Sequence, residues 1–299
     1  MDFYKWKDNM KRLVEFDIVY ISYDEPNAEE HWAHLQSNIP WAQRVHGVKG
    51  FDAAHKEAAN IATSDRFITV DGDNKIIPEI LNFEVDVAGL AENTVLSFSS
   101  RNNINGLIYG NGGLKLWPKL FVQEMKTHEV SEGEDAKVDF CWFANYKQYD
   151  KLSSHNYQNG SAFQAFRAGF REGVKMVLDQ GLRIRADEVL EKLDSGNIKR
   201  LLVWCSVGRD IEHGEMAIYG ARLGAFKTLC TAWDFAAIRD YDWFNEYWLS
   251  ENWIEREKTD DEPLRKLKEE VGLTLAELGP EQSTFFKNVY INPSRTRFE

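Results

Sequence analysis

The chain is 299 residues long and 43% hydrophobic, enough to bury a sizeable core in one large unit or two small ones. Its 48 acidic residues outweigh 36 lysines and arginines, giving a formal net charge of −12, which speaks against a surface built broadly for the nucleic-acid backbone. No stretch approaches the ~20 apolar residues of a membrane span, and "MDFYKWKDNMKRLVEF" has no apolar signal-peptide core. The three cysteines, Cys141, Cys205 and Cys230, are widely spaced and lack metal-ligand spacing. They suit free thiols in a reducing compartment, so a cytoplasmic location without a membrane partner is expected.

The first predicted strand, Ile18 to Tyr23, runs into a polar turn with Pro26. "NAEEHWAHLQSN" follows as a helix, with Asn27 as its predicted N-cap and acids in its first turn. A short strand in "AQRVHGV", an alanine-rich helix entered through Gly50 and the strand "RFITV" complete a βαβαβ unit, so a parallel sheet is expected. Such sheets bind ligands at the carboxyl ends of their strands. "TVLSFSSRNNINGLIYGNGGLKLW" reads as strands broken by Asn/Gly turns, "HEVSEGEDAK" as an acidic loop, and "VDFCWF" and "DKLSSHNY" as short strands. From Ser161 the chain reads as mainly helical, ending in a charged helix in "TDDEPLRKLKEEVGLTLAEL". The composition shift divides an α/β region, 1–160, from a helical region, 161–299.

The tip of "RFITV" carries Asp71 and Asp73 separated by Gly72. Two ionised carboxylates this close repel, so a positive partner is expected between them. A calcium EF-hand loop is excluded, because its fifth and sixth positions are Lys75 and Ile76 rather than a ligand and a glycine. A phosphatase nucleophile fits poorly: it wants the first strand, and a hydroxyl or β-branched residue where Lys75 stands. A solvated turn and a metal–diphosphate clamp remain.

The order of blocks separates them. The first strand ends in Tyr23, Asp24 and Glu25; "GFDAAHK" supplies Gly50, Ala54, His55 and Lys56; and the strand Phe67 to Asp73 ends in D-x-D about twenty residues after that glycine. In this order the blocks resemble the nucleotide-binding half of GT-A glycosyltransferases of the family-2-like group. With "ISYDEP", "RVHGVKG" and "FITVDGDN" the chain also resembles glycosyltransferases encoded by phages. About a quarter of the chain carries the likeness well. It implies a Rossmann-like α/β fold with a mixed, mainly parallel sheet flanked by helices, and a sugar transfer from a nucleotide-sugar, a UDP-sugar foremost. The family's base-reading aspartate after the second strand is absent here, where His46 and Lys49 stand, so base and sugar are not carried over.

On this resemblance Asp71 and Asp73 hold Mn²⁺ or Mg²⁺, which suits hard oxygen ligands, and the cation neutralises the leaving diphosphate. Gly72 lets the backbone approach the phosphates. Tyr23, Asp24 and Glu25 border the nucleoside, and Lys49, His55 and Lys56 lie beside the phosphates. His155 is the candidate third metal ligand, with His213 as its competitor. Gly112 and Gly113 border the sugar, with Trp117 as a stacking wall. Asp139 is the candidate base and Asp210 its rival. Arg167 and Arg171, four apart, share a helix face and suit phosphates or simple solvation. A non-catalytic nucleotide-sugar-binding protein and a nucleotidyltransferase are the alternatives; the latter wants a glycine-rich basic loop after the first strand, where "SYDEPN" stands. Acceptors in view are surface glycans, proteins and hydroxymethylcytosine in DNA. For DNA the local basic patch would be Arg101, Lys115, Lys119, Arg295 and Arg297, with Trp117 and Phe298 for stacking.

Overall fold

A computed structural model describes residues 10–110, 112–127 and 145–290. One eight-stranded sheet contains β1 (Asp17–Ser22), β2 (Gln43–His46), β3 (Arg66–Asp71), β4 (Asn74–Ile76), β5 (Thr94–Asn102), β6 (Ile108–Tyr109), β7 (Leu114–Pro118) and β8 (Asn145–Asn156). Its order is β2-β1-β3-β7-β5-β8-β4, with β6 paired to β5. Helices α1 (Ala28–Asn38) and α2 (Phe51–Ile61) make the crossovers between β1, β2 and β3. Gly50 opens α2 at φ 99°, in the left-handed region that glycine enters without strain.

The expected parallel pairing holds for β1 with β2 and with β3, and for β5 with β8. It fails elsewhere: β7 runs antiparallel to both β3 and β5, β6 to β5, and β4 to β8. The sheet is therefore mixed, as expected, but not mainly parallel, its parallel pairing being confined to those three pairs. The Asn/Gly turn in residues 103–107, between β5 and β6, is too short for a crossover helix and so forces antiparallel neighbours. Residues 67–70 of β3 are all buried, as a central strand covered on both faces requires. Asn27 makes no side-chain cap to α1; its amide instead donates to the Tyr157 carbonyl at 3.2 Å, tying α1 to the loop after β8.

Beyond α3 (Lys119–Glu124), the second half holds α4 (Ala162–Met176), α5 (Ser195–Trp204), α6 (Gly214–Cys230), α7 (Tyr241–Leu249), α8 (Trp253–Thr259), α9 (Glu262–Glu269) and α10 (Pro280–Val289). The expected change of character near residue 160 falls in the turn between β8 and α4. Ile104 and Leu107, from the β5–β6 loop, nevertheless pack into the helical core. Two helices touch backbone to backbone at its centre. A Cβ on Gly169 would lie 1.9 Å from the Ala217 carbonyl oxygen, and one on Gly220 2.3 Å from that of Phe166. The expected charged helix stops at Glu269, and Gly272 follows at φ 78°. The expected strand "VDFCWF" and the expected acidic loop lie outside the described residues.

Candidate active site

The carboxyl end of β3 opens into a cleft of about 1760 Å³, between the face of the sheet and the helical half. Tyr23, Asp24, Glu25, Asp71, Gly72 and Asp73 line one end of it. Gln164, Arg167, Arg171, Glu172 and Lys175, along one face of α4, line the wall opposite. Periodicity explains that wall, since residues three and four apart share a helix face.

Three carboxylates converge at the tip. Glu25 folds over Gly72, where a Cβ would lie 2.6 Å from its carboxylate oxygen, and it accepts the Tyr23 amide at 2.8 Å. The glycine thus makes room for an acid as well as for a ligand. Burial pushes the Glu25 carboxyl above its ordinary range, and Asp24 and Asp71 add to the effect. Asp73 is pushed up to about 7, first by desolvation and then by the charges of Asp71 and Glu25. Side-chain hydrogen bonds from Gln158 and Asn74 oppose this; Asn74 donates to the carboxylate at 2.7 Å, and Asn156 also donates to it at 3.4 Å. Lys115 reaches Asp71 from β7 at 3.4 Å, with its own side chain buried.

The backbone of the tip is pinned equally firmly. The Tyr20 hydroxyl lies 2.7 Å from the Gly72 carbonyl and 2.9 Å from that of Ala28, and donates between them. His31 donates through Nδ1 to the Gly72 carbonyl at 3.1 Å. Asn74 accepts from Ser154 at 2.8 Å and from Ser100 at 3.1 Å, so its amide can only face Asp73 with a donor. These supporting residues were missed in the sequence, because β4 pairs with β8 across some eighty residues.

Other expected site residues divide. Gly112 (φ 115°) and Gly113 (φ 86°) stand where only glycine sits easily, and a Cβ on Gly112 would lie 3.6 Å from Asp71. His55 lines the cleft fully covered. Its Nδ1 donates to the Phe51 carbonyl at 2.9 Å, so the imidazole is neutral with a bare Nε2; burial depresses it to about 4. Lys49 lines the rim but is paired with Asp242 at 2.6 Å. Arg167 and Arg171 both line the cleft.

Several expected site residues stand elsewhere. His155 does not line the cleft: strand alternation turns its neighbours Ser154 and Asn156 toward Asn74 and Asp73 and places His155 opposite Lys75. Its rival His213 lies outside the cleft as well, as the left-handed residue before α6. Asp210 is not in the cleft; it is locked to Lys287 at 2.5 Å and accepts from Thr284. Lys56 sits on α2 away from the lining. Trp117 is wholly buried, its indole nitrogen donating to Thr69, because β7 is a central strand; it walls nothing. The basic patch does not assemble either. Arg101 lines the cleft, Lys115 is buried on Asp71, and Lys119 binds the Ala62 carbonyl at the far end of the sheet. Asp139, Arg295, Arg297 and Phe298 lie outside the described residues.

Among the described residues no three His, Cys, Asp or Glu side chains group as a ready metal site. Two carboxylates completed by substrate phosphates are, however, the usual holding of Mg²⁺. The tip fits such an ion. The charge of Asp71 adds to the burial that raises Asp73 and Glu25, and Asp71, Asp73 and the side-chain-free Gly112 border the same space. Searches of family models, of curated proteins and of solved structures each return no match for this chain.

Proposed function

We propose that the chain is a metal-dependent glycosyltransferase that moves a sugar from a nucleoside-diphosphate sugar to an acceptor hydroxyl, with the GT-A-like tip as its donor site. The observation that carries this reading is the meeting of Asp71, Asp73 and Glu25 at the end of a central strand in a large cleft, where burial first and then the charges of Asp71 and Glu25 raise Asp73 to about 7. A solvated turn would let these acids relax into water; here backbone and amide contacts hold them together.

Asp71 and Asp73 would hold Mn²⁺ or Mg²⁺, which supplies charge neutralisation for the departing diphosphate. Lys115 fixes the orientation of Asp71, while Asn74 and Asn156 fix that of Asp73. Gly112 and Gly113 leave room for the sugar. Tyr23 and Asp24 line the end of the cleft where a nucleoside fits. On the acceptor side Asp150 replaces Asp210 as candidate base. It lies in the β8 bulge, between the register shifts at Tyr149 and Leu152, and faces the cleft. In this role it takes the proton of the attacking hydroxyl.

The test is transfer of labelled sugar from nucleotide-sugars, in Mn²⁺ and in EDTA, to glycans and to hydroxymethylcytosine-containing DNA. Asp150→Asn should lower transfer while leaving donor binding intact. Metal-independent donor binding without transfer would favour the alternative, a non-catalytic nucleotide-sugar-binding protein.

A further inference from the structure

We infer that Arg167 and Arg171 form a phosphate-binding subsite on the wall of the cleft opposite the DGD tip, and that it holds a phosphate group of the acceptor. The word acceptor rests on the glycosyltransferase reading; the phosphate binding does not.

The cleft's lysines are spoken for: Lys49 by Asp242, Lys115 by Asp71, Lys175 by Glu172 and Lys287 by Asp210. Arg167 and Arg171 differ. Among the described residues no carboxylate lies within ion-pair distance of either, in a chain with 48 acids against 36 lysines and arginines. Nearby acids are engaged elsewhere. Asp234 and Asp240 accept backbone amides as N-caps, and Glu172 binds Tyr109 and Lys175.

The two guanidinium groups are also held in place. Arg167 lies 5.2 Å over the Phe163 ring and 5.1 Å over Tyr241; Arg171 lies 5.4 Å over Tyr241. Arg171 also donates to the Ile238 carbonyl. Stacking occupies the planar faces of a guanidinium and leaves N–H edges for a ligand. One turn of α4 separates the pair, so their Cβ atoms lie about 6 Å apart, and both guanidinium groups lie over the same Tyr241 ring. A carboxylate is satisfied by one fork. Two forks match the several oxygens and the double charge of a phosphate.

Position separates this subsite from the metal clamp. α4 starts at Ser161, beside the β1–α1 turn: a Cβ on Gly160 would lie 3.1 Å from Pro26. Along the helix axis Arg167 and Arg171 are roughly 9 and 15 Å beyond that start. A ligand spanning both places would present a diphosphate to Asp71 and Asp73 and a second phosphate to α4.

Calorimetric titration of the full chain with pyrophosphate in EDTA tests this. Wild type should bind. Arg167→Gln and Arg171→Gln should each weaken binding about tenfold, and the double variant should abolish it, with melting curves verifying that each is folded. Arg265→Gln, removing a cation paired with Glu269 on the surface, should bind as wild type. No binding by wild type in EDTA, or unchanged binding by the double variant, overturns the subsite. Displacement of pyrophosphate by a phosphorylated monosaccharide or by a short single-stranded oligonucleotide supports the acceptor assignment and names its source. Displacement by a nucleoside diphosphate alone assigns the pair to the donor's leaving group and overturns it. If Mn²⁺-dependent nucleotide binding is absent while the arginine-dependent binding persists, the glycosyltransferase reading falls and the subsite stands.

Discussion

At the DGD tip, acids crowd one another and are held there by amides and hydroxyls; across the cleft, two arginines on α4 are held by aromatic rings and face no acid. The two sets would neutralise each other if the fold let them meet. It keeps them on opposite walls: Asp71 and Asp73 end a strand of the sheet, and Arg167 and Arg171 project from a helix locked to α6 through glycines. Charges kept apart in this way cost stability in the free protein, and the natural compensation for each is a ligand of opposite sign. An acidic pair calls for a cation, a basic pair for an anion, and a phosphorylated substrate with its metal satisfies both.

The largest effect is expected at the acidic wall. Asp73→Ala should abolish sugar transfer while the melting curve stays cooperative, because losing a metal ligand removes several kcal/mol of charge stabilisation from the transition state. Activity in steady-state assays that survives this change, or survives EDTA, breaks the comparison at its acidic end.

The scaffold of the basic wall comes next. Gly169→Ala puts a methyl group into the Ala217 carbonyl and should destabilise by about 1–3 kcal/mol or more, seen as a lower melting temperature. Pyrophosphate binding should weaken along with it, since α4 carries both arginines.

A third outcome concerns pH. Asp73 has a folded pKa of about 7, above the roughly 4 of an unfolded aspartate. The fold therefore favours the protonated form. That contribution is fully present below about pH 4 and is lost as pH rises through 7. Metal-free protein should lose stability between about pH 4 and 7, and Asp73→Asn should flatten this dependence and melt higher at pH 8. Denaturant melts in EDTA across this range measure it; an unchanged slope in Asp73→Asn would show that another group sets the dependence.

The smallest effect is expected at the rim. Lys49 and Asp242 join the two walls through an exposed, solvent-screened pair, so Lys49→Ala should shift the melting temperature by little and lower transfer less than any change above.

Local pattern carried a good deal of this architecture. The alternation of β1, α1, β2, α2 and β3 is written in short-range hydrophobic spacing, and the placing of Asp71 and Asp73 at a strand tip follows from it. Gly112 and Gly113 were singled out as places of close approach, and the backbone there takes the positive φ that glycine enters without strain. What could not be read depends on partners far away in the chain. Whether His155 or Asn156 faces the tip is decided by the register of β8 against β4, and β8 is shifted by bulges. Trp117 looked like a stacking surface until its strand took a central place in the sheet. Asp210 looked like a base until α10 brought Lys287 to it. Arg167 and Arg171 were visible as a pair, but their mount on Tyr241, some seventy residues on, was not.

The most direct measurement is a thermal melt of wild type and Asp73→Asn with UDP and GDP, each in Mn²⁺ and in EDTA. A metal-dependent ligand present at about 100 times its dissociation constant adds about 2.7 kcal/mol to stability. Wild type should therefore melt several degrees higher with at least one of these nucleotides and Mn²⁺ together, by more as nucleotide is added, with no such rise in EDTA or in Asp73→Asn. An equal rise in EDTA, or an undiminished rise in Asp73→Asn, contradicts a metal–diphosphate clamp at the DGD tip.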